Sequence, residues 1–258
     1  MKVNIYFIRH GFSCTNAIVY YAKFRKQYKR VLYTDPALTL HSQRQIQNIT
    51  QYMPPVDILC SSVLLRAIQT GLLSYPKKPR TLFPLPFVSE FGKGYGNRAS
   101  SPPEQLGILG FDLSKRIDYR FVTDASTPYK FIPSATVPDY EAFVKWLGVF
   151  LPQLTKAAGV GRKKELNIAL VTHSKFMSTY FSTGDDHLPH NNAVLLRRYN
   201  YENQTITPLP CPKIDSFYEM SDSNDCGGMV YLGLTPPDAN TYVQTGGHGG
   251  CKYPELFD

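Results

Sequence analysis

The sequence predicts an α/β fold: a doubly wound, mostly parallel sheet with helices on both faces, carrying an inserted lid region and an irregular C-terminal extension. Three observations lead there. Short β-rich runs alternate with stretches of helical periodicity, the pattern of repeated strand–helix units. The chain has 258 residues, 43% of them hydrophobic, enough to bury one substantial core. The residues best suited to chemistry fall at or just after the C-terminal ends of the predicted strands, the edge where such sheets bind ligands.

Taken in order, residues 3–8 read as the first strand. Ala17, Tyr20, Phe24, Tyr28 and Val31 then recur three to four apart, with Lys23, Lys26 and Arg30 on another face, so a helix is expected there. A second helix over 40–53 is stopped by Pro54-Pro55. Residues 57–60 form a short strand and 63–74 a helix. Pro84 and Pro86 mark the extended run 81–89 as an edge or irregular strand. A helix over 140–151, a buried strand over 166–171, a short helix over 174–181 and a strand over 193–199 complete the alternation. Two regions break the rhythm. Residues 91–138, rich in Gly, Pro, Ser and Tyr, read as a functional lid, and the tail from 208 to 258 is dense in Pro and Gly. The expected organisation is one domain over 1–207 with its insert at 91–138, followed by the extension 208–258.

Bulk properties exclude several classes. The longest apolar runs, such as 168–171, fall far short of the roughly 20 residues of a membrane span, and residues 1–10 lack the apolar length and cleavage site of a signal peptide. Cys14, Cys60, Cys211, Cys226 and Cys251 are odd in number and show no framework spacing, so reduced thiols in a cytoplasmic protein are expected. A net charge of +8 favours anionic partners. The basic clusters at 23–30, 77–80, 162–164 and 197–198 come without a nucleic-acid module and read as solvated faces, so no specific nucleic-acid or membrane partner is expected.

The chemistry begins at Arg9-His10-Gly11, immediately after the first strand. Phosphoryl transfer needs a nucleophile, positive charge around three non-bridging oxygens, and a proton for the leaving oxygen. A neutral imidazole supplies the first, and a guanidinium, which binds phosphate bidentately and keeps its charge, supplies the second. Gly11 lets the backbone pass close to a ligand. The motif continues through Phe12-Ser13-Cys14-Thr15-Asn16, with Ser13 or Asn16 opening the helix.

With its company, this opening resembles the histidine phosphatase superfamily, the phosphoglycerate-mutase-like group. The signature R-H-G-x-S-x-x-N is met by Arg9, His10, Gly11, Ser13 and Asn16. A second block, D-x-x-L-T-x-x-G-x-x-Q, is matched by Asp35, Leu38, Thr39 and Gln45, with Ser42 where glycine is usual. Ser62, Leu64, Arg66, Gln69 and Thr70 match S-x-L-x-R-x-x-Q-T. The second histidine falls at His173, followed by Ser174 where glycine is usual, and Asn192-Ala193-Val194 is similar to the asparagine-led strand that follows.

The resemblance implies a metal-independent enzyme without cofactor. His10 would be phosphorylated in line, Arg9 and Arg66 would clamp the phosphoryl oxygens, Ser13 and Asn16 would add neutral contacts, and His173 would stabilise developing charge. Glu90 stands where the mutase-like branch carries an acidic residue. Partial desolvation by Phe91 and Tyr95 would keep it protonated as the general acid. The acid-phosphatase branch fits less well, since no His-Asp or His-Ala-Glu follows His173.

The expected activity is hydrolysis of a phosphomonoester, on a phosphorylated small molecule or a phosphoprotein. A mutase is the alternative: the Gly-Trp signature of that branch is missing, the one tryptophan being Trp146, but Arg98, Arg116, Arg120 and Lys93 are available as substrate clamps. A phospholigand-binding module without turnover is the second alternative. No metal site is expected. The glycine loop at 246–251 has no strand and helix around it, and His187 and His190 read as loop or rim residues.

Overall fold

The computed structural model describes residues 1–16, 34–181, 191–209 and 229–231. The helix expected over 17–31, His187, His190 and the glycine loop at 246–251 lie outside the described residues.

Seven strands form the main sheet: β1 (Lys2–Arg9), β2 (Ile58–Ser61), β3 (Leu82–Pro84), β6 (Glu165–Thr172), β7 (Ala193–Asn200), β8 (Thr205–Pro208) and β9 (Met229–Tyr231). Their order is β3-β2-β6-β1-β7-β8, with β9 also pairing β7. The β1–β6, β2–β6 and β2–β3 pairs are parallel, and β7 runs antiparallel to β1, β8 and β9. This is the mostly parallel α/β sheet expected from the sequence. Pro84 sits in the edge strand β3, where a missing N–H costs no ladder bond.

The central strands read as nearly continuous apolar runs because both faces are covered. Ile168 and Leu170 of β6 join Val3, Ile5 and Phe7 of β1 in one core. Ala169 and Val171 point the other way, into a second core with Ile8. The first core is closed by α4 (Tyr140–Ala157) through Phe143, Leu147, Leu151 and Leu154, and by α5 (Ser174–Phe181) through Phe176. The second is closed by α2 (Leu65–Ser74) through Ile68 and Leu72. Each such side chain contributes about 1.5–3 kcal/mol by leaving water.

The helix α1 (Leu40–Ile49) is capped by Thr39, whose hydroxyl accepts from the Ser42 amide, and passes into a single tight turn (Thr50–Tyr52) before Pro54. Two expectations are corrected. The helix expected to end at 151 continues to Ala157 through Pro152, because the apolar spacing of Leu147, Leu151 and Leu154 carries on past the proline. The insert, read as lacking strong periodicity, holds α3 (Pro102–Ser114), opened by a reciprocal Ser101–Glu104 capping box, and a small sheet of β4 (Thr123–Asp124) and β5 (Thr127–Phe131). A third correction concerns the thiols. Cys60 is a free, buried thiol, but Cys14 is disulfide-bonded. Among the described residues no helix is long and apolar enough to cross a membrane.

Candidate active site

Parallel pairing brings the two histidines together. Arg9 at the end of β1 lies in register with Thr172 at the end of β6, so the next residues, His10 and His173, leave the sheet side by side. The His10 amide donates to the Thr172 carbonyl at 3.0 Å, and the imidazole centroids are 5.0 Å apart. Beyond β2, the Ser62 amide donates to Val171 at 2.8 Å, aiming the start of α2 at the same edge. Arg66 in its first turn donates from Nε to His10 Nε2 at 3.2 Å. Thr172 ties in the loop after β3 by donating to the Val88 carbonyl at 2.8 Å, two residues before Glu90. The convergence of separate strand ends on one edge is thus set by the sheet.

His10 is 3% exposed, and its two ring nitrogens are differentiated. Nδ1 lies 2.6 Å from the Gly11 carbonyl, an atom that only accepts, so the ring proton sits on Nδ1. Nε2 therefore carries the lone pair, which takes the Arg66 Nε–H. Burial, followed by the nearby charges of Arg66 and Arg9, pushes the His10 pKa well below 6.5, so the ring is neutral at pH 7. Asn191 donates to the His10 carbonyl at 2.8 Å, and the Asn192 amide donates to the Arg9 carbonyl at 3.1 Å, clasping the backbone from behind.

Arg66 is held on three sides. Besides His10, its Nη1 donates to the Gly96 carbonyl at 2.6 Å and Nη2 to Asn97 Oδ1 at 3.0 Å, both in the insert. Asn97 is fixed in turn by donating to the Phe91 carbonyl at 3.0 Å. Asp35, 2% exposed, accepts from the Leu65 amide at the head of α2 at 2.7 Å, from the Ser100 amide at 2.9 Å and from Gln105 Nε2 at 2.6 Å. One carboxylate thus joins the arginine's helix to the insert. Burial lowers the Arg66 pKa, while Asp35 and then Glu90 support its charge.

Arg9 is lowered to about 10 by burial, with Glu90 opposing and Arg66 adding to the shift, and stays charged at neutral pH. Glu90 accepts from the Phe91 amide at 2.8 Å. Its carboxyl is raised above the ordinary value, since desolvation outweighs the Phe91 hydrogen bond and the charges of Arg66, Arg9 and Lys175. His173 is fully buried, its pKa far below 6.5 through desolvation and the nearby Arg66, His10 and Arg9. His10, Arg9, Arg66, Glu90 and His173 therefore form one electrostatically coupled group.

The three expected binding residues are placed differently. Ser13 is buried beside the motif and donates to Asn16 Oδ1 at 2.9 Å, and its amide does so at 3.1 Å, so that oxygen serves the start of the helical turn. Arg98 is exposed, its guanidinium 4.5 Å above the Tyr95 ring, and among the described residues no hydrogen bond joins it to the five. Among the other basic residues of the insert, Arg116 donates to the carbonyls of Leu72, Tyr75, Pro79 and Arg80, and Arg120 pairs with Asp118 at 2.6 Å.

Residues that sequence reasoning left without a role give the site its rigidity. Thr70 accepts from the Gly11 amide at 2.9 Å and donates to the Arg66 carbonyl at 2.7 Å, while Gln69 accepts from the Leu38 amide at 2.7 Å. Both lay in a matched motif, which was the available signal. Asn97 and Asn191 lay in none. Among the described residues no group of three or more His, Cys, Asp or Glu is arranged to hold a metal ion.

No family model matches the chain, and neither does any curated protein. Solved structures do. The ecdysone phosphate phosphatase of Bombix mori aligns at 15% identity and TM-score 0.45, over 86% of this chain and 97% of its own. A phosphoglycerate mutase of Bacillus anthracis aligns at 16% and 0.45, over 81% and 92%. The alpha-ribazole phosphatase of Shigella flexneri aligns at 16% and 0.42, over 80% and 94%. What the site can do follows from its own atoms.

Proposed function

We propose that this protein is a histidine phosphatase, a metal-independent phosphomonoester hydrolase working through a phosphohistidine on His10. One observation carries the reading: the unprotonated Nε2 of a buried, neutral His10 meets the Arg66 Nε–H at 3.2 Å, with a second imidazole 5.0 Å away ring to ring. A lone pair kept neutral inside a ring of fixed positive charge suits attack on a phosphorus whose oxygens are anionic.

The steps then follow. An arriving phosphoryl oxygen takes over the Arg66 Nε–H and frees the Nε2 lone pair. Nε2 bonds to phosphorus as the P–O bond to the leaving group breaks, and that oxygen takes a proton from Glu90. Arg9 and Arg66 hold the equatorial oxygens, joined by His173. Water then attacks phosphorus and gives its proton to the Glu90 carboxylate. The P–N bond breaks, phosphate departs and Nε2 regains its lone pair. The substrate class is a phosphomonoester, borne by a small molecule or a protein.

Hydrolysis is favoured over mutase action by the engagements of Arg116 and Arg120, which bind backbone carbonyls and Asp118 rather than standing ready as clamps. The test is chemical. Brief loading with a labelled aryl phosphate, followed by acid and hydroxylamine sensitivity, reads a phosphohistidine, and His10→Ala abolishes the label. Turnover falls in that variant by on the order of 10⁴-fold or more. Retained turnover overturns the mechanism. Label passing to an added acceptor hydroxyl instead of to water identifies a mutase, and undiminished phosphate binding with no turnover in the native protein identifies a binding module.

A further inference from the structure

His173 presents a question of which nitrogen carries its proton. Its Nε2 lies 2.9 Å from Ser62 Oγ, and its Nδ1, fully buried, has no hydrogen-bond partner among the described residues. A neutral imidazole has one N–H, so it donates to an incoming phosphoryl oxygen from Nδ1 only if Nε2 is the bare nitrogen. With the proton on Nε2, Nδ1 would turn a lone pair towards anionic oxygens and repel them.

Ser62 decides between the two. Its oxygen already accepts from the Leu64 amide at 3.2 Å, in the turn that leads into α2. Its own O–H, on a fully buried residue, needs an acceptor, and His173 Nε2 is the one the described residues place in reach. Were Nε2–H the donor instead, the serine hydrogen would be stranded in the interior without an acceptor, a desolvated polar group that the fold would have to offset. The chain of donors thus runs from Leu64 N–H to Ser62 O–H to His173 Nε2.

We infer that Ser62 is the positioning residue that holds His173 in its Nδ1–H tautomer, so that the second histidine meets the transferring phosphoryl group as a neutral hydrogen-bond donor. This deepens the histidine phosphatase reading and rests on it for its catalytic meaning. Low basicity of His173 agrees with it, because a ring that stays neutral must have the right tautomer to donate. The same serine belongs to the turn that aims Arg66, so one hydroxyl sets both the helix start and the state of the ring.

The experiment is ¹⁵N-histidine NMR on the full chain, whose six histidines are few enough to assign, with a His173→Gln sample locating the relevant resonances. The expected wild-type spectrum has a protonated Nδ1 and a pyridine-like Nε2 for His173. In Ser62→Ala the Nε2–H form becomes populated and kcat falls by on the order of 10²-fold with little change in KM, while Ser62→Thr restores both tautomer and turnover. A wild-type spectrum showing Nε2–H overturns the inference without any variant having to fold. So does an Ala variant with unchanged tautomer and turnover. Phosphohistidine trapping on His10 in the same wild-type preparation reports separately on the parent mechanism: its failure with the Nδ1–H tautomer present would sink the phosphatase and leave the serine's control of the ring standing.

Discussion

Asp35 is the buried carboxylate on which the geometry of Arg66 depends, and its titration has a definite sign. Desolvation raises its pKa from an ordinary 3.8 to about 6, against the opposing pull of Gln105, the Leu65 and Ser100 amides, and Arg66. A carboxyl whose folded pKa lies above its unfolded value binds its proton more tightly in the folded state. Its contribution is therefore most favourable below about 3.8 and is lost as pH rises through about 6. At neutral pH the ionised group costs about 3 kcal/mol, and about 2 kcal/mol of that is regained on acidifying to about pH 4.5. Asp35→Asn removes the titration while keeping a residue that tolerates the left-handed backbone found here, φ 47°. It also leaves one fewer oxygen for the Ser100 and Gln105 donors, so its stability at any single pH mixes opposing effects. The difference between the two proteins against pH does not. Urea unfolding at about pH 7.5 and about pH 4.5 is expected to show the native protein gaining about 2 kcal/mol on the variant as pH falls. A flat difference refutes the reasoning, and a native protein that loses ground in acid makes Asp35 an ordinary ion-pair carboxylate.

Other consequences are as direct. A Cβ on Gly11 would lie 2.5 Å from Ser42 Oγ and 2.7 Å from Ile46 Cδ1, so Gly11→Ala is expected to lose about 1–3 kcal/mol in urea melts, part of it recovered in a Gly11→Ala, Ser42→Gly double variant. Ser42 Oγ is buried with no hydrogen-bond partner among the described residues, so Ser42→Ala alone should stabilise the protein by about 1 kcal/mol, and a loss of stability would reveal a partner for that hydroxyl. Glu90→Gln keeps the Phe91 hydrogen bond but cannot give a proton, so kcat/KM is expected to fall by about 10²–10⁴-fold for alkyl phosphates and far less for nitrophenyl phosphate, whose leaving group needs no proton. Equal losses on both would remove Glu90 from the acid role.

How legible this molecule was depends on the range over which each feature is set. Strands such as β6, and the short helix Ser174–Phe181, were readable because apolar period and local propensity act within a few residues. Their parallel registry was implied by the alternation, and with it the meeting of His10 and His173. The ordered insert was under-read: Ser101-Pro102-Pro103-Glu104 is a helix start, but its capping box had to be noticed inside a stretch whose composition spoke for irregularity. The partners of Asp35 lie far away in sequence, at Leu65, Ser100 and Gln105, for which no local pattern exists.

The least legible feature bears most on the proposed catalysis. A motif predicts that Arg66 is present; it does not predict that two of its three nitrogens are engaged by Gly96 and Asn97. Each terminal nitrogen has a second hydrogen to offer, so the insert fixes the plane of the guanidinium without exhausting its donors. Nε has only one, and it rests on His10 Nε2. In the proposed mechanism phosphate binding and release of the nucleophile would be a single event, because the oxygen that claims this N–H would uncover the Nε2 lone pair. On that proposal the insert would act on the reaction through the orientation it imposes on one arginine, from residues that, among the described residues, hydrogen-bond neither histidine.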